Sequence, residues 1–453
     1  MRDDLASSLA AGFLAGDWTQ AGLRRAGLTV VGRRMPWMTA LVREVLATHP
    51  TAPADRPREL AAHVARTVAA ARAGSTRPVV HPVLTTRVLA NPWHLPVLDD
   101  LSDVRALLGL TQGDLDWFSD PRRLARETGV PALQHYRVTS LRSASGGVRV
   151  LEAPKPRLKA LQRRLLDAVV SCVPVHDAAH GFVPGRSVAS YAAPHSGRPV
   201  VLRMDLEGFF ASVTVGRVYG TFRTAGLPEP VAHALAGLAT TVLPRHTWQA
   251  LPRPDDPRLL EAHWRLGRRL AAPHLPQGAP TSPALANLAA HRLDRRLSAL
   301  ASSWGGCYTR YADDLALSGR WHGAATTRLI DLFTQVAVEE GFRVNERKTA
   351  VMSHAGRQVL TGLVVNDRPR VARRDVDALK ALLHNCARHG PSTQDRRGTQ
   401  DRLGTHDRLG TQDRLGHRDF HAHLVGRIGW VAQHDPARGA RLRAQLDAVD
   451  WTR

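Results

Sequence analysis

Tyr311-Ala312-Asp313-Asp314 sets two adjacent carboxylates at the tip of a stretch, Tyr308 to Ser318, whose pattern predicts a β-hairpin. Asp205 ends a strand-like run from Pro199, in which Val200, Leu202 and Met204 share one face and Val201, Arg203 and Asp205 the other. Three convergent carboxylates suit a particular chemistry. Two divalent metals held close together can activate an attacking hydroxyl and stabilise a triphosphate with its leaving group. An isolated Asp-Asp pair is more often turn chemistry. The chemical reading therefore requires Asp205 to lie beside the hairpin, within metal-bridging distance of Asp313.

The flanking pattern supplies elements that can do this. Leu158, Leu161, Leu165, Leu166 and Val169 mark one face of an amphipathic helix that carries Lys159, Arg163 and Arg164 elsewhere. Ser282-Pro283 reads as a cap and first-turn proline, followed at helical spacing by Leu285, Leu288, Leu293, Leu297 and Leu300. Leu329 to Glu340 predicts a helix ended by Gly341, and Val359 to Val371 a further hairpin turning at Asn366-Asp367. Strand, helix, hairpin, helix and strand in this order predict a split βαβ sheet with helices on one face.

Composition narrows the partners. The chain has 453 residues, 43% of them hydrophobic, enough for a sizeable core and two to four structural units. Its formal charge is +22, and 58 of its 62 basic residues are Arg. A GC-rich gene would favour Arg over Lys but does not account for the excess over acids, and Arg forks pair bidentately with phosphate. A polyanionic partner follows. Cys172, Cys307 and Cys386 are widely spaced, which argues against a disulfide framework or a zinc site and fits a reducing cytoplasm. The apolar stretch Leu9 to Leu14 is too short for a signal peptide or a span, and no other run has membrane length.

Residues 1–80 read as an Ala-rich helical extension broken near His49 to Pro57, and 81–140 as short helices around Trp93, Leu108, Leu110, Leu115 and Trp117. Residues 393–416 hold four hexads of the type Thr-Gln/His-Asp-Arg-Leu/Arg-Gly, nearly neutral and poor in large apolar side chains. They suit a solvated insertion produced by repeat expansion better than a binding array. Leu424, Ile428, Trp430, Leu442 and Leu446 then restore a helical tail.

The order of motifs across roughly residues 150 to 450 resembles the reverse transcriptase family, and within it the bacterial retron type. Glu152 to Lys159 and Gly181 to Ser187 look like the first and second fingers blocks, and Met204-Asp205-Leu206-Glu207-Gly208-Phe209-Phe210 like the first palm motif. Leu275 to Pro283 is similar to the block shaping the nucleotide and template pocket, and Tyr311 to Asp314 is the signature tetrapeptide. Leu360-Thr361-Gly362 resembles the Val-Thr-Gly block of retron enzymes, with Leu for Val. Tyr191-Ala192-Ala193-Pro194-His195 resembles their Asn-Ala-x-x-His block, with Tyr for Asn. Leu424 to Trp430 resembles the start of the thumb, while residues 244–272 look like an insertion.

This resemblance implies an α+β right-hand polymerase: fingers and a ferredoxin-like palm over 141–375, and a helical thumb over 376–453 interrupted by the hexads. It implies that Asp205, Asp313 and Asp314 hold two Mg²⁺ ions, for which Mn²⁺ can substitute, and that Phe210 blocks a ribose 2′-hydroxyl. Gln277, Gly278, Lys348, Arg186 and Lys159 would contact the nucleotide, with Lys348 placed to neutralise or protonate the leaving pyrophosphate. Tyr311, Thr361 and Gly362 would face primer and template, and His195 would serve RNA recognition. The implied partners are deoxynucleoside triphosphates, an RNA template with its DNA product, a cognate noncoding RNA and an effector protein in antiphage defence. An intron-encoded or other defence-associated reverse transcriptase is the alternative enzyme, although no His-rich nuclease module follows the thumb. A non-catalytic nucleic-acid-binding protein is the alternative of another class.

Overall fold

A computed structural model describes residues 3–54, 56–67, 73–82, 93–121, 124, 128–142, 147–391, 394 and 417–451. The hexads, apart from Gln394, lie outside these residues. The chain divides into two compact units, residues 1–174 with 213–289, and 175–212 with 290–453.

In the first unit, α1 (Asp3–Ala15), α2 (Gln20–Val31), α3 (Met38–Thr48) and α4 (Pro57–Arg66) bury a shared core that includes Leu5, Leu9, Phe13, Leu41 and Leu60. Thr19 caps α2 by accepting from the Gly22 N–H, and Pro57 begins α4 where a missing donor costs nothing. Next come α5 (Leu101–Leu108) and α6 (Gln112–Ser119), each closed by a reciprocal capping box, through Asp100–Asp103 and Thr111–Asp114. The antiparallel pair β1 (Tyr136–Arg142) and β2 (Val148–Pro154) leads into α7 (Pro156–Ala168), which buries Leu158, Leu161 and Leu165 as their spacing predicts.

After the excursion into the second unit, the chain returns as α9 (Val215–Thr224), α10 (Glu229–Ala239), α11 (Arg245–Ala250), α12 (Leu260–Leu270) and α13 (Ser282–Ala289). The N-terminal helices are tied to this part by polar bonds. Tyr219 donates its hydroxyl to Glu59 at 2.8 Å, and the Glu229 carboxylate accepts the Arg58 N–H at 2.8 Å. Buried Gln162 donates to both the Tyr136 hydroxyl and the Leu238 carbonyl at 2.9 Å, which fastens α7 to β1 and α10.

In the second unit α8 (Val188–Ala192) precedes β3 (Val200–Asp205), and α14 (His291–Ser303) precedes the hairpin of β4 (Cys307–Tyr311) and β5 (Asp314–Gly319). Then follow α15 (Ala324–Glu339) and β6 (Ala350–Ser353). The four strands pair antiparallel in the order β4-β5-β3-β6, which is the split βαβ order read from the sequence. The run expected from Ser282 to Leu300 as one helix is broken at Ala290 into α13 and α14.

Both faces of this sheet are covered, whereas the pattern predicted helices on one. Every residue of β5 is buried, and in β3 only Arg203 is partly open. On one face Tyr308 meets Asp294 of α14 and Phe333 of α15. On the other, Val201 and Ala316 join a core with Tyr191 and the C-terminal helices α16 (Arg373–His389), α17 (His417–His434) and α18 (Pro436–Asp447). A strand buried on both sides reads as a continuous apolar run, which explains why alternation understated the cover.

Between β6 and α16 lies a small meander of β7 (Val359–Leu360), β8 (Leu363–Val364) and β9 (Arg370–Val371). Asn366-Asp367 falls in its second connection, as expected. A tighter first turn, at Thr361-Gly362, was not anticipated. Both of its central residues take positive φ, 44° and 86°, as a two-residue hairpin of primed type demands.

Candidate active site

The strand register brings the acidic residues together. Asp205 stands directly opposite Asp314 across β3 and β5, and opposed residues of an antiparallel pair present their side chains to the same face. The Leu206 N–H donates to the Asp313 carbonyl at 2.9 Å, extending the pairing one step past the strand end. Asp205 and Asp314 are both buried, whereas Asp313 sits in the Ala312-Asp313 turn and is more open. The partner that register assigns to Asp205 is therefore Asp314, while the sequence reading had centred on Asp313.

Lys348 completes this group. Its ammonium donates to both Asp205 carboxylate oxygens, at 3.0 and 3.1 Å. It is carried by a short turn, Glu346–Lys348, that is fastened to the end of β3: the Asn345 N–H donates to the Asp205 carbonyl at 2.7 Å, and Glu207 N–H to the Arg343 carbonyl at 2.8 Å. A cation already rests on the buried carboxylate at the C-terminal end of the strand.

Among the described residues no three His, Cys, Asp or Glu side chains form a metal-holding cluster. Mg²⁺ does not require one. It is a hard cation that keeps much of its water and binds through one or two carboxylates plus substrate phosphate. Paired Asp205 and Asp314, with Asp313 adjacent and a cation already accepted by Asp205, offer the hard anionic oxygens that such an ion takes.

The turn itself is held from behind. Ala312 adopts φ 55°, a region that L residues avoid, so neighbouring contacts must maintain it. Arg310, fully buried, donates to the Ala312 carbonyl at 3.1 Å while its Nε and Nη2 grip both oxygens of buried Asp294, at 2.7 and 2.6 Å. Tyr308 adds a bond to Asp294 at 2.9 Å. Burial acts to lower the Arg310 pKa, and the Asp294 charge more than reverses this, so the guanidinium stays charged. From the other side Gly181 presses on the turn: an added Cβ there would stand 2.6 Å from the Ala312 nitrogen.

Beside β3, Phe209 is buried against Phe342 with ring centroids 5.8 Å apart, and the Arg310 guanidinium lies 5.4 Å from its centroid. Phe210 is half-buried, 5.7 Å from Phe209 and 6.2 Å from Phe182. Tyr311 packs on Tyr191 at 5.8 Å and adjoins the core containing Leu360 and Leu363, which brackets Thr361 and Gly362.

The assignment of His195 is corrected, and Arg186 is seen to have a structural role. His195 is fully buried, with Nδ1 2.7 Å from the Ser318 hydroxyl and Nε2 2.8 Å from the Thr309 hydroxyl. Burial drives its pKa down to about 3, so it is a neutral core residue with both ring nitrogens occupied, not an RNA contact. Arg186 donates to the carbonyls of His176, Asp177 and Ala179 at 3.1, 2.8 and 2.6 Å and pairs with the Asp177 carboxylate at 3.1 Å. It clamps its own loop through these bonds.

Lys159, Gln277 and Gly278 belong to the first unit. Lys159 is exposed on α7. The Gln277 carbonyl accepts the Glu152 N–H at 2.8 Å, and Gly278 has φ 122°, with any Cβ only 3.4 Å from the Glu152 carbonyl oxygen. Beneath this loop the buried His274 ring meets the buried Glu152 carboxylate at 2.8 Å. Burial acts to lower the His274 pKa, but the Glu152 hydrogen bond and charge leave it raised.

Sequence reasoning missed Arg310–Asp294 and Glu152–His274. The available signals were an Arg within an apolar hairpin strand and an Asp on the same helix face as Leu293 and Leu297.

Comparison with known proteins places the chain in a family. The reverse transcriptase (RNA-dependent DNA polymerase) family profile matches residues 141–385. The retron Mx65 reverse transcriptase of Myxococcus xanthus is 44% identical over 296 residues, covering 65% of this chain and 65% of its own. The retron Mx162 reverse transcriptase of the same organism is 37% identical over 375 residues, covering 79% of this chain and 68% of its own. The matches thus span about two thirds of those relatives. A solved foamy viral protease-reverse transcriptase in complex with double-stranded DNA superposes loosely, with TM-score 0.32 and 12% identity over 66% of this chain and 36% of that one.

Proposed function

Because the chain belongs to the reverse transcriptase family, among its retron-type members, we propose that it is an RNA-directed DNA polymerase copying a cognate structured noncoding RNA. The observation that carries this reading is the register pairing of Asp205 with Asp314, with Lys348 seated on Asp205. In this reading the split βαβ sheet is the palm, the segments 152–159 and 181–187 belong to the fingers, and α16 to α18 form the thumb.

Asp205 and Asp314, with Asp313, would hold Mg²⁺. When bound, the metal activates the primer hydroxyl and stabilises the triphosphate. The protein supplies orientation and charge. Asp205 is presented from a strand paired on both edges, so its carboxylate is pre-positioned. Lys348 neutralises Asp205 in the resting protein, and its part-exposed ammonium would turn toward the departing pyrophosphate oxygen. Phe210 fills the space a ribose 2′-hydroxyl would need, favouring deoxynucleotides. The Arg count and the charge of +22 suit the polyanionic template and product. A role in antiphage defence with an effector protein extends the same proposal.

Purified protein should extend a DNA primer on an RNA template with deoxynucleotides and Mg²⁺. Asp205→Asn should lower incorporation by about 10³-fold, the several kcal/mol of charge stabilisation a metal provides. Equal extension by parent and variant would refute the site. Sequencing the RNA and DNA that copurify tests the retron assignment: one structured transcript supports it, and diverse RNAs oppose it.

A further inference from the structure

Phe182 combines features that its fold does not explain. It is 43% exposed, although an aromatic ring gains from burial. Its φ is 61°, in the left-handed region where a bulky side chain is strained and glycine is at ease. The adjoining Gly181 and Gly185 show that the loop has permissive residues available, yet the strained position holds a phenylalanine. Backbone strain persists only where the surroundings enforce it.

The surroundings here are rigid and lead to the acidic turn. The Ala178 carbonyl accepts the Arg310 N–H at 2.7 Å, and the His180 N–H donates to the Arg310 carbonyl at 2.7 Å, so the loop runs bonded to β4 just before Tyr311. Arg186 grips the loop carbonyls, and Gly181 has no room for a Cβ against Ala312. The clamp sets the Phe182 ring 6.2 Å from that of Phe210, tilted by 45°, with its outer surface open.

We infer that Phe182 is a nucleotide-contacting residue, whose exposed ring stacks on the base of the incoming deoxynucleotide while neighbouring Phe210 meets the sugar. This rests on the polymerase reading above. A flat apolar ring held open beside Phe210 matches the one flat group of that substrate, and stacking of a base on an aromatic side chain tolerates all four bases. The strain is then maintained for binding and not for folding.

The experiment is single-nucleotide incorporation on an RNA template with a DNA primer, titrating each deoxynucleotide, alongside thermal melting and a template–primer Kd. Phe182→Ala and Phe182→Gly should each raise the nucleotide KM roughly 10-fold, the loss of one base–aromatic stack, with kcat within about 2-fold. Phe182→Tyr should restore the parental KM. Phe182→Gly should melt no lower than the parent, since glycine relieves the positive φ, whereas a packing residue would destabilise when removed.

Unchanged KM in an active parent and its variants overturns this inference alone. So does a change confined to the template–primer Kd, which would place the ring on the template, or loss of melting temperature in both truncations. A parent that incorporates nothing overturns the polymerase reading and this inference together.

Discussion

Two buried charge pairs, one in each unit, support motif loops by the same means but with different chemistry. Arg310–Asp294 stands behind the Tyr-Ala-Asp-Asp turn, and Glu152–His274 stands beneath the Gln277–Gly278 loop. Both are almost fully buried, so each pays desolvation that only good geometry offsets. The guanidinium keeps its charge at any working pH, whereas the imidazole can lose its proton. The carboxylate turn is therefore braced independently of pH, while the pH-sensitive brace lies in the other unit.

Breaking the first brace should have the largest effect. Asp294→Ala leaves Arg310 charged and unpaired, at a cost of about 3–5 kcal/mol, which denaturant melting would detect as an insoluble or strongly destabilised protein. Loss below ~1 kcal/mol would mean that water or another acid replaces Asp294. His195 offers a smaller test in the same unit. Its folded pKa of about 3 lies below the ordinary 6.5. The unfolded chain thus takes up the proton first, and stability should fall as pH drops below 6.5 toward 3. His195→Gln should flatten that acid limb; an unchanged limb would place the loss elsewhere.

The second brace predicts the opposite slope. His274 has a folded pKa above its ordinary 6.5 because of Glu152, so its contribution is complete below 6.5 and disappears as pH rises through the raised value. The stability difference between parent and Glu152→Gln should be about 1–3 kcal/mol at pH 6 and shrink on the alkaline side. A constant difference across that range would show that the pair is a neutral hydrogen bond.

Lys348–Asp205 should have the least effect on stability, because the lysine side chain is 46% exposed. Lys348→Met should change melting by under ~1 kcal/mol but slow incorporation by about 10²-fold if the ammonium serves the leaving group. Parallel loss of both would make it a structural pair.

The elements that carry the acidic residues were legible because they depend on residue type and order. Carboxylates at Asp205, Asp313 and Asp314, a lysine at 348 and the hairpin between Tyr308 and Ser318 all fall in the expected elements. Local signals also placed α7 and α15, through apolar spacing and the glycine at 341. Side chains that could face either way were not legible. Arg186 and His195 look like ligands in one dimension, and nothing local reveals that carbonyls of 176–179 or hydroxyls more than a hundred residues away will occupy them.

The sequence by itself thus determined which strands and helices carry the acidic residues and the lysine, because residue chemistry and periodicity are local. Only the tertiary structure decided that Asp205 faces Asp314, that Arg310 and Asp294 meet across a strand and a helix, and that Phe182 is held strained and open beside Phe210. Strand register, burial and the pairing of distant charges arise when the core excludes water, and no short window of sequence contains both partners.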